Sequence, residues 1–445
     1  MSALKNSVQK LFYYPSAVFG LFVVFLLVLL AIYAMLKIPY SEAIRLWRGG
    51  EDVWYQNPKF AAPAWINYFS SEKYAESFAV KTDDGSLSSE FTPGAEGTGT
   101  LVANHIFDFN YDTYPQDMIL YFTSEFAEKQ PFVSLEWLTP DGRIVRIANM
   151  AISRQFTYRF AQDEKLKARL KTDDIIASLF SDPETGSPIK GQYQLLLTGT
   201  TFEPGSLINA EFVFHGQVYG LAGTDHARRD LIVPLLWGAP IALAFGLIAS
   251  LGSSVLTMII AAVGTWYSGW VDELIQRITE INLVLPFLSI LIMIGTFYSR
   301  SLWVILGATI ALSIFTGAIK GFRSIFLQVK ESMYIEAARA YGASGPRIVF
   351  LYLIPRMIPL LIPGLVSSVP AFVFLEASLA LLGLGDPVLP TWGKIIQDAN
   401  SNGALYRGYY YWILEPTVLL MFTGLGFAML GFALDRIFNP KLRDA

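Results

Sequence analysis

Forty-one consecutive residues, 231–271, carry no charged side chain. A second such run covers residues 11–36, and fourteen of the twenty residues at 17–36 are Leu, Ile, Val or Phe. At roughly −0.3 to −0.6 kcal/mol per such residue, the second run alone favours insertion into a bilayer by about 4–8 kcal/mol. Inside hydrocarbon every backbone N–H and C=O must be satisfied within the chain, so runs of this kind become helices. Residues 11–36 exceed the usual apolar core of a signal peptide, and no small-x-small cleavage site follows, so they read as a retained span. Residues 231–271 as one straight helix would reach about 60 Å, twice the hydrocarbon thickness. They are expected to break near Pro234, Pro240, Gly246 or Gly252 into a short interfacial helix at residues 232–237 and a span over 240–263.

Further apolar runs at residues 281–299 and 301–319 are separated by Arg300 alone and predict a tight helical hairpin, with residues 272–280 as a loop before it. Runs at 357–385 and 416–434 complete a set of six spans. Hydrophobic residues make up 53% of the chain and charged residues only 16%, which fits a membrane protein better than a soluble one. Six spans place both termini on one side. Lys5, Lys10, Arg436, Lys441, Arg443 and the six basic residues of the 320–356 loop make that side cytoplasmic, whereas the short loops on the other side carry only Arg300, Lys394 and Arg407. Aromatic belts at Tyr13-Tyr14, Trp266-Tyr267 and Tyr409-Tyr410-Tyr411-Trp412 mark span ends.

Between the first two spans lie residues of ordinary soluble composition. Residues 37–57, with Ile44, Leu46, Trp47 and Trp54, read as an interfacial lead-in. From about 58 to 218 strands dominate. Val133, Leu135 and Trp137 alternate with polar neighbours, Asp141-Gly142 supplies a hairpin turn, and Phe156, Tyr158 and Phe160 alternate, as do Phe212 and Phe214. Residues 192–200 form another strand, and 163–180 is the clear helix. The expectation is a small β-sandwich-like domain outside the cytoplasm, serving as scaffold or ligand-binding module. Three domains follow: residues 1–40 as tail and first span, 41–218 as the β-rich insertion, and 219–445 as the core with five spans.

A net charge of −4 argues against a nucleic-acid partner. Cysteine is absent, and His105, His215 and His226 lack metal-ligand spacing. Asp83, Asp84, Asp108, Asp112 and Asp117 lack the regular spacing of a calcium loop and read as a solvated face. No nucleophile elbow and no Gly-x-x-x-x-Gly-Lys-Ser/Thr phosphate loop occurs, so the chain reads as neither an enzyme nor a nucleotide-driven motor, with no cofactor of its own.

The basic loop is the most structured of the connectors. Residues 332–341 have helical composition, Gly342 can end that helix in left-handed geometry, Ser344 can cap a second helix, and Pro346 fits its first turn. Two helices at a fixed angle would form a rigid elbow. The run Glu336-Ala337-Ala338, Gly342 and Ile354-Pro355 resembles the ATPase-docking loop of bacterial ATP-binding cassette importer permeases, with Tyr352 and Ile354 replacing Ile and Leu of that pattern. The resemblance implies that Glu336, Ala337, Ala338, Gly342 and Pro355 couple the closure of a cytoplasmic ATPase to the spans.

Gly223-Thr224-Asp225 with Arg229-Asp230 is similar to the Gly-Thr-Asp-x-x-Gly-Arg-Asp signature of oligopeptide, dipeptide and nickel permeases of the C type, but Arg228 stands where that signature has Gly, so a different local turn is expected. Glu376-Ala377-Ser378-Leu379 through Leu382-Gly383-Leu384-Gly385, then Pro390-Thr391-Trp392-Gly393, resembles the region around the fifth span, while Phe432 departs from the Asp usual near the end of the last span. Glu376 is the one acid within an apolar run and is expected near the outer end of its helix. Pro286, Pro359, Pro363 and Pro370 interrupt apolar runs, either breaking helices or setting their tilt. The resemblance covers about residues 10–40 and 219–443 and implies a type I importer-like half-transporter in the bacterial inner membrane. Its partners would be cytoplasmic ATPase subunits that bind the ATP, a related permease as heterodimer partner, and an extracytoplasmic binding protein, for uptake of peptides or similar solutes. The alternative is a membrane-anchored sensor or scaffold. An ion-coupled carrier would need several intramembrane carboxylates, and only Glu376 is available.

Overall fold

The computed structural model describes residues 14–94 and 98–438. Lys5, Lys10, Tyr13, Lys441 and Arg443 lie outside the described residues. The chain divides into two compact units, one of residues 49–232 and one of the residues on either side.

Helix α1 (Pro15–Lys37) buries Ala17, Gly20, Val23, Leu27, Ala31 and Ala34 at helical spacing, while Phe22 and Phe25 stay exposed. An apolar helix whose bulky residues face outward is built for lipid on that side. Its small-residue face allows close approach: a Cβ on Gly20 would lie 2.7 Å from the Gly426 carbonyl oxygen of the last helix. Helix α2 (Tyr40–Arg48) is short and amphipathic, burying Ala43 and Trp47.

The β-rich unit holds two antiparallel sheets. Strands β1 (Phe78–Lys81), β4 (Asp117–Glu125), β7 (Gln155–Arg159) and β9 (Leu207–His215) form one in the order β1-β9-β4-β7. Strands β2 (Ser88–Pro93), β3 (Gly99–Phe109), β5 (Phe132–Leu138), β6 (Ile144–Ala151) and β8 (Gly191–Thr201) form the other in the order β2-β3-β8-β5-β6. Alternating side chains meet in a shared core rich in aromatics, including Phe109, Trp137, Phe180, Tyr193, Phe212 and Phe214. The helix expected over 163–180 is instead two: α3 (Glu164–Leu170) and α4 (Ile175–Phe180). Asp163 caps the first through the N–H groups of Lys165 and Leu166, and Asp174 caps the second through that of Ala177. Between them Lys171 turns left-handed at φ 52°. A second capping carboxylate starts a new helix rather than continuing the old one.

In the membrane unit, α5 (Ile232–Tyr267) corrects the expected break: it runs 36 residues through Pro240 without interruption. Two long-range hydrogen bonds fasten the stretch of helix just before Pro240. The Trp392 indole N–H donates to Leu235 O (2.9 Å), and that of Trp237 donates to Ile38 O (3.1 Å). At about 54 Å the helix is longer than a hydrocarbon core. The expected loop over 272–280 is helical too, within α6 (Gly269–Val284), which meets α7 (Phe287–Phe297) at a 79° bend. Pro286 causes it by forcing Leu285 into extended backbone (ψ 135°). A 47° bend likewise joins α8 (Leu302–Ile314) to α9 (Gly317–Lys330). The Asn282 amide donates to the carbonyls of Leu312 (2.9 Å) and Phe315 (2.8 Å), satisfying groups that the bend frees.

After α10 (Met333–Ala340) comes α11 (Gly345–Ile348), which passes through a π turn at Val349–Leu353 into α12 (Ile354–Leu379). Pro359, Pro363 and Pro370 lie inside α12 without breaking it. A second π turn at Ala380–Leu384 leads to α13 (Trp392–Ser401), α14 (Ala404–Arg407) and α15 (Tyr411–Phe438). Trp412, expected in an aromatic belt, is buried. Among the described residues, four helices are long and apolar enough to cross a membrane, or up to six if each bent pair counts as one span.

Candidate functional site

The elbow is built from a helix stop. Gly342 adopts φ 77°, its N–H donates to Arg339 O (2.9 Å), and the Ala343 N–H donates to Ala338 O (3.0 Å). This pair of bonds is the Schellman arrangement, which only a residue tolerant of left-handed geometry closes without strain. Ser344 occupies the cap position of α11 with extended backbone, but its side chain makes no cap hydrogen bond. The second arm is also not a separate helix. It continues into α12 through the π turn, which lies just ahead of Pro355, whose ring would otherwise meet the carbonyl four residues back.

The inner face of the elbow is anchored. Ile335, Ile348, Val349 and Leu353 pack with Phe326, Met258 and Ala262 in one cluster. Lys330 Nζ donates to Thr265 O (2.9 Å), Trp266 O (3.2 Å) and Ser268 Oγ (2.8 Å), capping the carbonyl end of α5. The Arg339 guanidinium lies 4.6 Å from the Trp266 ring centroid. Arg323 grips Asp272 with two nitrogens, at 2.8 and 2.6 Å, tying α9 to α6. The outer face is free: Glu336, Ala337 and Gly342 are exposed, Met333 is 87% exposed and Tyr341 92%. Ala338 faces inward and Pro355 is exposed at the first turn of α12.

The Gly223-Thr224-Asp225 turn is a second constellation. The Asp225 carboxylate accepts from the N–H groups of Ala227 (2.8 Å) and Arg229 (2.9 Å) and from Arg229 Nε (2.5 Å), and it is fully buried. Thr224 Oγ1 donates to Pro58 O and accepts from Ala61 N–H. Asp230 Oδ1 accepts from Ile232 N–H (3.0 Å), and loss of water raises its carboxyl pKa to about 6. Arg228 takes φ 65°, the conformation glycine would adopt.

Glu376, Gly383 and Gly385 gather at the far end of α12, about 32 Å of helical rise from Pro355. Glu376 is 5% exposed, and its Oε1 has no hydrogen-bond partner among the described residues. Gly383 takes φ 84°, and the neighbouring Gly393 lets α13 approach the Ala377 backbone. Asp386, which sequence reasoning missed, accepts from Leu302 N–H (2.9 Å) and caps α8. Asn282 and Lys330 were missed as well, since their partners are backbone carbonyls that no local pattern reveals.

Residues 253–444 match the family described as binding-protein-dependent transport system inner membrane component. The dipeptide transport system permease protein DppC of Alkalihalophilus pseudofirmus is 30% identical over 225 residues, which is 50% of this chain and 72% of the relative. This chain belongs to that permease family. The oligopeptide transport system permease protein OppC of Bacillus subtilis is also 30% identical, over 50% of this chain and 72% of its own length. A peptidoglycan transport system permease protein, YejE of Agrobacterium fabrum, is 30% identical over 40% of this chain and 47% of its own length. The permease family match falls within the membrane unit, outside the β-rich unit.

Proposed function

We propose that this permease is the membrane subunit of an ATP-driven importer for peptides or similar small solutes, with its elbow docked in a cytoplasmic ATPase. One observation carries the reading: an elbow closed by Gly342, rigidly packed on its inner face, presents Met333 and Tyr341 outward. Large exposed apolar side chains on an otherwise polar bend suit a protein partner. Force applied to α10 passes through the Ile335–Ile348 contacts into α5 and α12, and so into the spans. Each bent pair then counts as one span, making six, with both termini in the cytoplasm of a bacterial inner-membrane protein. The β-rich unit lies outside. Glu336, Ala337, Ala338, Gly342 and Pro355 transmit the stroke, while Gly223, Thr224, Asp225, Arg229, Asp230, Glu376, Gly383 and Gly385 hold the frame. A related permease completes the pathway, a binding protein delivers solute, and ATP binds to the partner subunits.

Affinity purification of the full chain in mild detergent is expected to bring down an ATPase and a second permease. A folded chain that elutes alone overturns the reading in favour of a sensor or scaffold. Because the chain has no cysteine, Tyr341→Cys introduces a single reporter of sidedness. In intact cells the variant is expected to resist a membrane-impermeant thiol reagent and to react only after permeabilisation. Labelling in intact cells would put the elbow on the wrong face.

A further inference from the structure

The outer face of the β1-β9-β4-β7 sheet, away from the aromatic core, carries a cleft of about 450 Å³. Tyr121 and Thr123 of β4, Glu211 of β9 and Arg159 of β7 form its floor, and Glu51, Asp52, Tyr55 and Arg228 close over it. All belong to the β-rich unit. A volume of this size suits a small solute.

The charges in the cleft are unequally satisfied. Glu211 is neutralised in place: it accepts from the Tyr55 hydroxyl (3.0 Å) and the Gln56 amide (2.5 Å) and pairs with Lys81 (3.4 Å). Glu51 pairs with Lys59. The two guanidinium groups make no direct ion pair among the described residues, although the Glu51 and Asp117 carboxylates are close enough to interact with both. Arg159 makes no side-chain hydrogen bond or ion pair among the described residues, although it is half-buried on the cleft floor. Arg228 is 9% exposed, yet among the described residues its guanidinium bonds only to Asn57 O (2.5 Å) and the His215 ring (3.4 Å). Burial and Arg228 hold His215 well below its usual pKa, at about 4, so the ring is neutral and supplies no counter-charge. A buried guanidinium without a directly paired carboxylate is costly. Arg228 also sits at φ 65°, a conformation that strains any residue with a Cβ. Arg228 is thus desolvated and strained while its charge faces an open cleft.

We propose that this cleft is a binding site for a small zwitterion bearing a carboxylate, such as a short peptide, with Arg159 and Arg228 taking the carboxylate and Asp52 facing the amine. Guanidinium forks match carboxylate geometry in a way no other side chain does, and the two tyrosine rings, 4.9 Å apart edge to face, wall the space between the charged ends. The assignment of a carboxylate stands on the cleft alone, and the choice of peptides rests on the transport reading above. The site would let the permease hold solute outside its membrane unit.

Isothermal titration of the purified full chain in detergent, without ATPase or nucleotide, tests this with trialanine, its C-terminal amide, its N-acetyl form and inorganic phosphate. Trialanine is expected to bind saturably. The amide should bind roughly tenfold or more weakly, as should trialanine to Arg159→Gln. Acetylation should also weaken binding. Absence of trialanine binding, or equal binding of acid and amide, overturns the proposal, and phosphate binding as tightly as trialanine overturns the zwitterion. The acid–amide comparison on the unaltered chain decides the matter if Arg159→Gln fails to fold. Since no ATPase is present, failure here leaves the transport reading untouched, and failure of the co-purification leaves this one untouched.

Discussion

Gly342→Val is expected to abolish coupled uptake while leaving the chain inserted in the membrane at normal levels. The glycine holds φ 77°, and a Cβ built there would meet nothing within 4 Å. The cost is therefore purely conformational, about 1–2 kcal/mol for an ordinary side chain and more for a β-branched one. A loop can shed that strain only by leaving the left-handed region, which breaks the Gly342–Arg339 and Ala343–Ala338 bonds. The angle between α10 and α11 then changes while both helices persist, because Ile335 and Ile348 remain anchored in their cluster. An elbow of altered angle still meets its partner but delivers the stroke in the wrong direction. Uptake should fall by about tenfold or more, with ATP hydrolysis by the assembled complex retained. Gly342→Asn separates conformation from composition, since asparagine tolerates left-handed backbone, and should keep most of the uptake. Wild-type uptake in the valine variant would remove the elbow from the mechanism.

What could be read beforehand follows from the range of the forces involved. Charge-free runs reveal spans because the cost of unsatisfied polar groups in lipid is local and additive, so α1, α12 and α15 stand out in the sequence. Gly342 is legible for the same reason, as a single residue type matched to a single backbone conformation. The β-rich unit shows through its period-two alternation, as in β5 and β8. The two-helix break at Lys171 has a local signal in the capping carboxylate of Asp174. Other features had no local signal. Pro240 lies inside a continuous helix whose preceding turn is bonded by Trp392, more than 150 residues away. The bends beside α7 and α8 are joined through Asn282, whose acceptors lie 30 and 33 residues downstream. Arg228 keeps a glycine conformation because Asn57 receives its guanidinium and donates to its carbonyl (3.0 Å). In each case the deciding contact is made by a residue far along the chain.

The same long-range dependence makes Gly238 a sensitive packing position in the membrane unit. A Cβ there would lie 2.2 Å from Trp392 Cδ1 and 2.3 Å from its Nε1, well inside any tolerable contact. The indole has nowhere to go: Trp392 is 1% exposed, and its N–H is committed to Leu235 O on the same turn of α5. Gly238→Val must therefore either push α13 off α5 or break that hydrogen bond. Overpacking a core costs about 1–3 kcal/mol, and orphaning a buried donor or acceptor adds about 1–3 kcal/mol. Together these are a large fraction of the stability of a folded unit. The damage would spread, because α13 also carries Gly393 against Ala377, and Trp237 next door ties α5 to Ile38. The variant is expected to lose most of its monodisperse yield in detergent and to unfold at a clearly lower temperature. Gly307→Ala is the matched comparison, since a Cβ at that helical glycine meets nothing within 4 Å. It should be neutral or stabilising by up to about 1 kcal/mol. If both substitutions left the melting temperature unchanged, the close seating of Trp392 on α5 could not be what holds α13 against that helix.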